Sequence, residues 1–103
     1  MNIQKLMKEA QRAQRQMAEV QERLAGMTVE GSSGAGMVTA VAKGDGTIAS
    51  VRIDPSVVDP EDVEMLEDLV TAAVAEAQRQ AKELQEREMG QVMGGMAGLG
   101  GLF

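Results

Sequence analysis

Ile3, Leu6, Ala10, Ala13, Met17, Val20, Leu24 and Met27 follow one another at alternating spacings of three and four residues. This is two apolar positions per seven, the seam of a helix that packs along another helix. It predicts a helix from about Asn2 to Ala25, rich in good helix formers and stopped by Gly26. At 1.5 Å per residue that helix is about 35 Å long, too long to be buried along its length by so small a domain. Lys5, Lys8, Arg12 and Arg15 repeat the spacing two residues out of phase. Two residues turn a helix by roughly 200°, so the basic row lies opposite the apolar seam.

The pattern then changes period. Residues 28–33 read as a short strand and Gly34-Ala35-Gly36 as a turn. Met37–Lys43 and Thr47–Asp54 alternate as strands around Gly44-Asp45-Gly46, a hairpin signal. A two-residue loop at Asp45-Gly46 sets Ala42 opposite Ala49, Ala40 opposite Val51 and Val38 opposite Ile53, all on one apolar face. The other face holds Thr39, Val41, Lys43, Ile48, Ser50 and Arg52. Asp59-Pro60-Glu61-Asp62 predicts the start of a second helix, with Asp59 as N-cap and Pro60 at the first position. Its stripe is Val63, Leu66, Val70, Ala73, Ala77 and Leu84, widened by Leu69 and Val74, and it is expected to reach about Met89. The Gly- and Met-rich stretch from Gly90 reads as a flexible tail ending in Leu102-Phe103.

The expected organisation is a single domain over 1–89 and a tail over 90–103. The class is α+β: a long N-terminal helix, a three-stranded antiparallel sheet and a long C-terminal helix. Composition adds a dimer to this picture. A chain of 103 residues with one Phe and no Trp or Tyr packs a modest aliphatic core, and long helices with little core bury more surface by associating. The seam residues Ile3, Leu6, Ala10, Ala13, Met17, Val20 and Leu24, with Leu66, Leu69, Val70 and Ala73 of the second helix, are the candidate homodimer interface.

The chain has no Cys and no His. Disulfide and thiolate chemistry are therefore absent, as is the usual acid/base group near neutral pH. Lys, Ser and the carboxylates form no recognisable catalytic constellation, so no enzyme, cofactor, metal or small-molecule substrate is expected. The polar, periodic N-terminus does not look like a signal peptide, and no apolar run has the length of a membrane span. A cytoplasmic protein without membrane partners is expected.

Net charge is −6, which argues against indiscriminate binding to polyanions. Its distribution matters more. Residues 1–15 set four bases against Glu9 alone, whereas Asp54, Asp59, Glu61, Asp62, Glu64, Glu67 and Asp68 crowd a stretch without a base beyond Asp54. With a Debye length of about 8 Å at cellular salt, the two regions act almost independently. The basic row fits either a solvated helix face or a line of phosphate contacts. No aromatic residue interleaves it, which disfavours base stacking and favours the backbone of a duplex. The acidic stretch fails as a calcium loop, because Asp59 and Met65 stand where Gly and Glu would be needed. Gly31–Gly36 fails as a phosphate loop, with Met37 in place of the Lys and a strand following.

Taken together, the basic Gln-rich first helix, Val29-Glu30-Gly31, Gly34-Ala35-Gly36-Met37-Val38, Gly44-Asp45-Gly46, Val51-Arg52-Ile53-Asp54-Pro55 and the run Asp62–Ala73 resemble the YbaB/EbfC family of bacterial nucleoid-associated proteins. The resemblance implies an intertwined homodimer with central sheets and helices projecting like the arms of tweezers. It also implies binding of duplex DNA with little base readout, in the nucleoid, with an influence on gene expression. The DNA-binding residues would be Lys5, Lys8, Arg12 and Arg15, joined by Arg79 and Lys82 of the second helix. The alternative is an acidic helical adaptor that binds protein partners through its exposed seam or its tail.

Overall fold

The computed structural model describes residues 2–100. The order is α1 (Ile3–Ala25), β1 (Thr28–Ser33), β2 (Val38–Lys43), β3 (Ile48–Ile53), a 3-10 turn (Pro55–Val57) and α2 (Val63–Gly100). The expected helix–sheet–helix architecture is present. Asn2 caps α1 by accepting the Lys5 N–H at 3.2 Å, and Gly26 closes it. The strands form one antiparallel sheet in the order β1-β2-β3. Gly34, Ala35 and Gly36 all take positive φ between β1 and β2, so the reversal rests on the glycines either side of a left-handed alanine.

α2 crosses one face of the sheet. Val38, Ala40 and Ala42 meet Ala73, Ala77 and Ala81 in the main core, with Val29, Ile48, Val57, Leu69, Val70 and Val74 around it. The alanines bring the two backbones close together. A Cβ on Gly31 would stand 2.6 Å from the Ala73 carbonyl oxygen, so only glycine fits there. Two side chains pin the helix to the sheet. Ser33 Oγ donates to the Leu69 carbonyl at 2.6 Å, and Gln85 Nε2 donates to the Gly44 carbonyl at 2.8 Å. A second cluster joins Val20 and Leu24 of α1 to Leu84, Met89 and Val92 of α2. Arg23 reinforces it with an ion pair to Glu88 at 2.8 Å.

Four expectations are corrected. α2 starts at Val63, not at Pro60. Asp59 directs its carboxylate to the Glu61 N–H two residues on, a local turn, and Asp62 becomes the cap by accepting the Met65 N–H at 3.2 Å. The helix also continues beyond Met89, through Gly90 to Gly100. Packing of Met89 and Val92 against α1 carries it across the first glycine, each of which costs about 1 kcal/mol relative to Ala. The end of the expected tail, residues 101–103 with Leu102-Phe103, lies outside the described residues.

The third correction concerns register. Val38 pairs with Ile53 and Ala40 with Val51 as expected, but Ala42 pairs with Ile48, across an irregularity between Val41 and Ala42. The loop has three residues: Lys43 N–H bonds the Thr47 carbonyl, Gly46 N–H bonds the Lys43 carbonyl, and Gly46 takes φ +94. The extra residue is absorbed as a bulge that turns Ile48 to the core side.

The last concerns the interface residues. Val20, Leu24 and Ala73 are buried against their own chain. The spacing does mark a packing stripe, but at these positions the partner is α2, or for Ala73 the sheet. Leu66, Leu69 and Val70 are half-buried, and Leu69 and Val70 pack against the main core.

Candidate nucleic-acid interface

Only the C-terminal third of α1 is fastened down. Ile3 is 67% exposed and Leu6 47%, and Ala10 and Met17 are also exposed. Ala13 is half-buried. The basic row lies on the same unfastened segment. Lys5, Lys8, Arg12 and Arg15 are all exposed, and none makes an ion pair among the described residues. From Lys5 to Arg15 the helix rises about 15 Å. One DNA strand presents a phosphate every 3.4 Å or so of axis, hence about four along that length. Four cations with long stems on one helix face match this spacing without needing any base contact.

The two cations expected on α2 differ from the row and from each other. Arg79 is clamped. Its Nη2 and Nε donate to Glu76 at 2.7 and 3.1 Å, and its Nη1 donates to Glu83 at 2.6 Å. The hydrogen bonds it donates to Glu76 and the charges of both acids raise the Arg79 pKa above its ordinary value. Conversely, the hydrogen bonds of Arg79, then that of Gln80, hold Glu76 below the ordinary carboxylate range. The guanidinium is already satisfied by two carboxylates and offers a phosphate little. Lys82 is exposed and outside the ion pairs found among the described residues. The structure thus leaves five of the six candidate cations available and occupies one.

Three of the seven acids of the 54–68 stretch serve the backbone. Asp54 accepts the Ser56 N–H at 2.8 Å, and Asp59 and Asp62 act as described above. They lie at the sheet end of the molecule, whose longest dimension is 71 Å, while the basic row is on the part of α1 that leaves it. Of the four cations outside the candidate set, two lie on the sheet, Lys43 and Arg52. Strand pairing sets Lys43 beside Thr28 and Arg52 beside Thr39 on the sheet face opposite α2. The strand alternation already places both on the mixed face. They form no row, so periodicity does not single them out.

A family model described as the YbaB/EbfC DNA-binding family matches residues 1–96. A nucleoid-associated protein of Saccharopolyspora erythraea is 51% identical, the alignment covering 98% of this chain and 90% of that one. A nucleoid-associated protein of Acetivibrio thermocellus is 52% identical over 99% of this chain and 90% of its own length. Among solved structures, the uncharacterized protein HP0035 from Helicobacter pylori superposes with a TM-score of 0.80. It covers 90% of this chain and 98% of its own at 19% identity, a likeness of fold.

Proposed function

Since the chain belongs to the YbaB/EbfC DNA-binding family, a family of DNA-binding proteins rather than of enzymes, we propose that it acts as a homodimer that coats duplex DNA in the nucleoid. Contact is through the phosphates, made by Lys5, Lys8, Arg12 and Arg15 of each α1 and supported by Lys82. Base readout is slight, because the row carries no aromatic side chain to stack on a base and belongs to no recognition-helix turn motif. Coating of this kind alters DNA conformation and, through it, the expression of the genes covered. The observation that supports the reading best is the row itself: four cations, unpaired among the described residues, on the unfastened part of a helix in a chain whose net charge is −6.

The dimer is supported by the exposed seam residues Ile3, Leu6, Ala10 and Met17 and by the small core. It matters for affinity because it joins two rows in one molecule. Eight neutralised phosphates would give a log–log salt slope near −7, an upper bound for so acidic a protein. The test is a gel-shift salt series on the wild type and on the quadruple variant K5E/K8E/R12E/R15E, with light scattering on both. The variant is expected to lose duplex binding and keep its oligomeric state. A wild type that never shifts duplex DNA, even at low salt, would overturn the DNA reading in favour of a protein adaptor.

A further inference from the structure

The basic row stops in the middle of its own pattern. Lys5, Lys8, Arg12 and Arg15 are followed at the same alternating spacing by Glu19 and Glu22, so the period continues while the charge reverses. At roughly 100° per residue Glu19 falls on the midline of the row, and Glu22 stands about 20° from Arg15. Glu9, the acid among the bases, is turned about 80° from that midline. One face of α1 is therefore positive over its outer turns and negative where the helix reaches α2.

Nothing in the packing calls for the two acids. Both are exposed, and neither makes an ion pair among the described residues. Partners stand at helical spacing, with Arg15 four residues before Glu19 and Arg23 four residues after it. Glu followed by a base four residues on is the arrangement that best supports a helix. Arg23 nevertheless goes to Glu88 at 2.8 Å. Glu19 and Glu22 are themselves three residues apart, like charges on neighbouring positions of the helix surface. Glu22 also lies in the last turn of α1, which ends at Ala25, where the helix dipole disfavours an anion. Two local rules are broken with no gain in packing, which points to function rather than to folding.

The Arg15 cation and the first acid are close enough to act on the same phosphate. Glu19 is about 6 Å along the axis from Arg15, inside the Debye length of about 8 Å. One DNA strand presents a phosphate every 3.4 Å or so, so the second phosphate inward of Arg15 would lie over Glu19. We infer that Glu19 and Glu22 mark the inner end of the DNA contact: they repel the duplex from the root of α1 and confine it to the outer turns. This rests on the DNA-binding reading and sets its extent. Confinement protects the joint between the helices. Arg23 is the next base along α1, about 40° from the midline of the row. A phosphate that reached it would compete with Glu88 for the guanidinium that ties α1 to α2.

The test is fluorescence anisotropy on duplex DNA across a salt series. It compares full-length wild type, E19Q/E22Q, E19K/E22K and a control with the same change in net charge at the sheet end, E61Q/E67Q. E19Q/E22Q is expected to bind several-fold tighter than wild type at low salt. E19K/E22K is expected to steepen the log–log slope by up to about 1.8 per chain, 0.9 for each added phosphate contact. The control is expected to change affinity less than about twofold, because it lies several Debye lengths away. Circular dichroism should show every variant folded, with E19Q/E22Q melting no lower than wild type. Affinity and slope unchanged at positions 19 and 22, or equal tightening by the control, overturns the boundary, while wild-type binding keeps the DNA reading. A clearly lower melting temperature for E19Q/E22Q assigns the acids to the fold and overturns the boundary as well. A wild type that never binds duplex DNA overturns both.

Discussion

α1 contains two regions that the same apolar spacing describes equally well and that the structure treats in opposite ways. From Val20 to Leu24 the seam is buried against Leu84, Met89 and Val92 of α2 and locked by Arg23 and Glu88. From Ile3 to Met17 the seam is mostly exposed, and the opposite side carries four cations that are unpaired among the described residues. A heptad-like spacing therefore shows that a helix has a packing stripe. Which helix covers it is decided by chain length and topology. The charged side chains divide in the same way, with Arg79 tied on α2 and the row, among the described residues, untied on α1.

The sharpest way to break this comparison is to truncate one seam residue from each region. Leu24→Ala removes a fully buried side chain and is expected to cost about 2–5 kcal/mol of unfolding free energy. Leu6→Ala removes one already half in water in the single chain and, at a protein concentration below that at which the homodimer forms, is expected to cost less than about 0.5 kcal/mol. Urea unfolding of both variants, at one fixed protein concentration, measures the difference. Equal losses would mean that the first turns of α1 are packed after all.

A smaller effect separates tied from untied cations. Arg12→Ala is expected to weaken duplex binding and to lower the log–log salt slope by about 0.9 for each phosphate that its guanidinium neutralises. Arg79→Ala is expected to leave the slope unchanged, because Glu76 and Glu83 already occupy that guanidinium. Fluorescence anisotropy across a salt series reads both. A slope change for Arg79→Ala as large as for Arg12→Ala would show that the clamp opens on DNA.

How far the fold is legible in the residues follows the same line between local and distant causes. The extent of α1 and its Gly26 stop are set by nearest neighbours and are readable to within a residue. So are the three strands, from alternation and glycine placement. The bulge is not, because Gly44-Asp45-Gly46 is compatible with loops of two or three residues, and docking of Ile48 into the core favours the longer one. Asp59 and Asp62 are both good caps three residues apart, so composition does not distinguish them. The end of α2 is hidden from glycine propensity, because the contacts of Met89 and Val92 come from a helix more than sixty positions away. In the candidate site, the basic row is visible as a period. The clamp on Arg79 is readable too, since Glu76 and Glu83 lie three and four residues away, where helical neighbours meet.

The smallest expected effect concerns the tied carboxylates of the sheet end. Asp45 and Asp54 each accept a backbone N–H two residues on, from Thr47 at 2.9 Å and from Ser56 at 2.8 Å. Those hydrogen bonds, the backbone ones foremost, lower both carboxyl pKa values in the folded chain. A group whose folded pKa is depressed stabilises the fold above its unfolded value, about 3.9 for Asp, and that contribution is lost as pH falls through the folded value. Asn at position 54 can still accept the Ser56 N–H but does not titrate. Between about pH 5 and pH 2 the urea midpoint of the wild type should therefore fall further than that of Asp54→Asn. The difference will be slight because both carboxylates face solvent. Parallel curves would mean that Asp54 is as loosely held as the cations of α1, and that the division between a tied sheet end and an untied arm does not extend to the carboxylates.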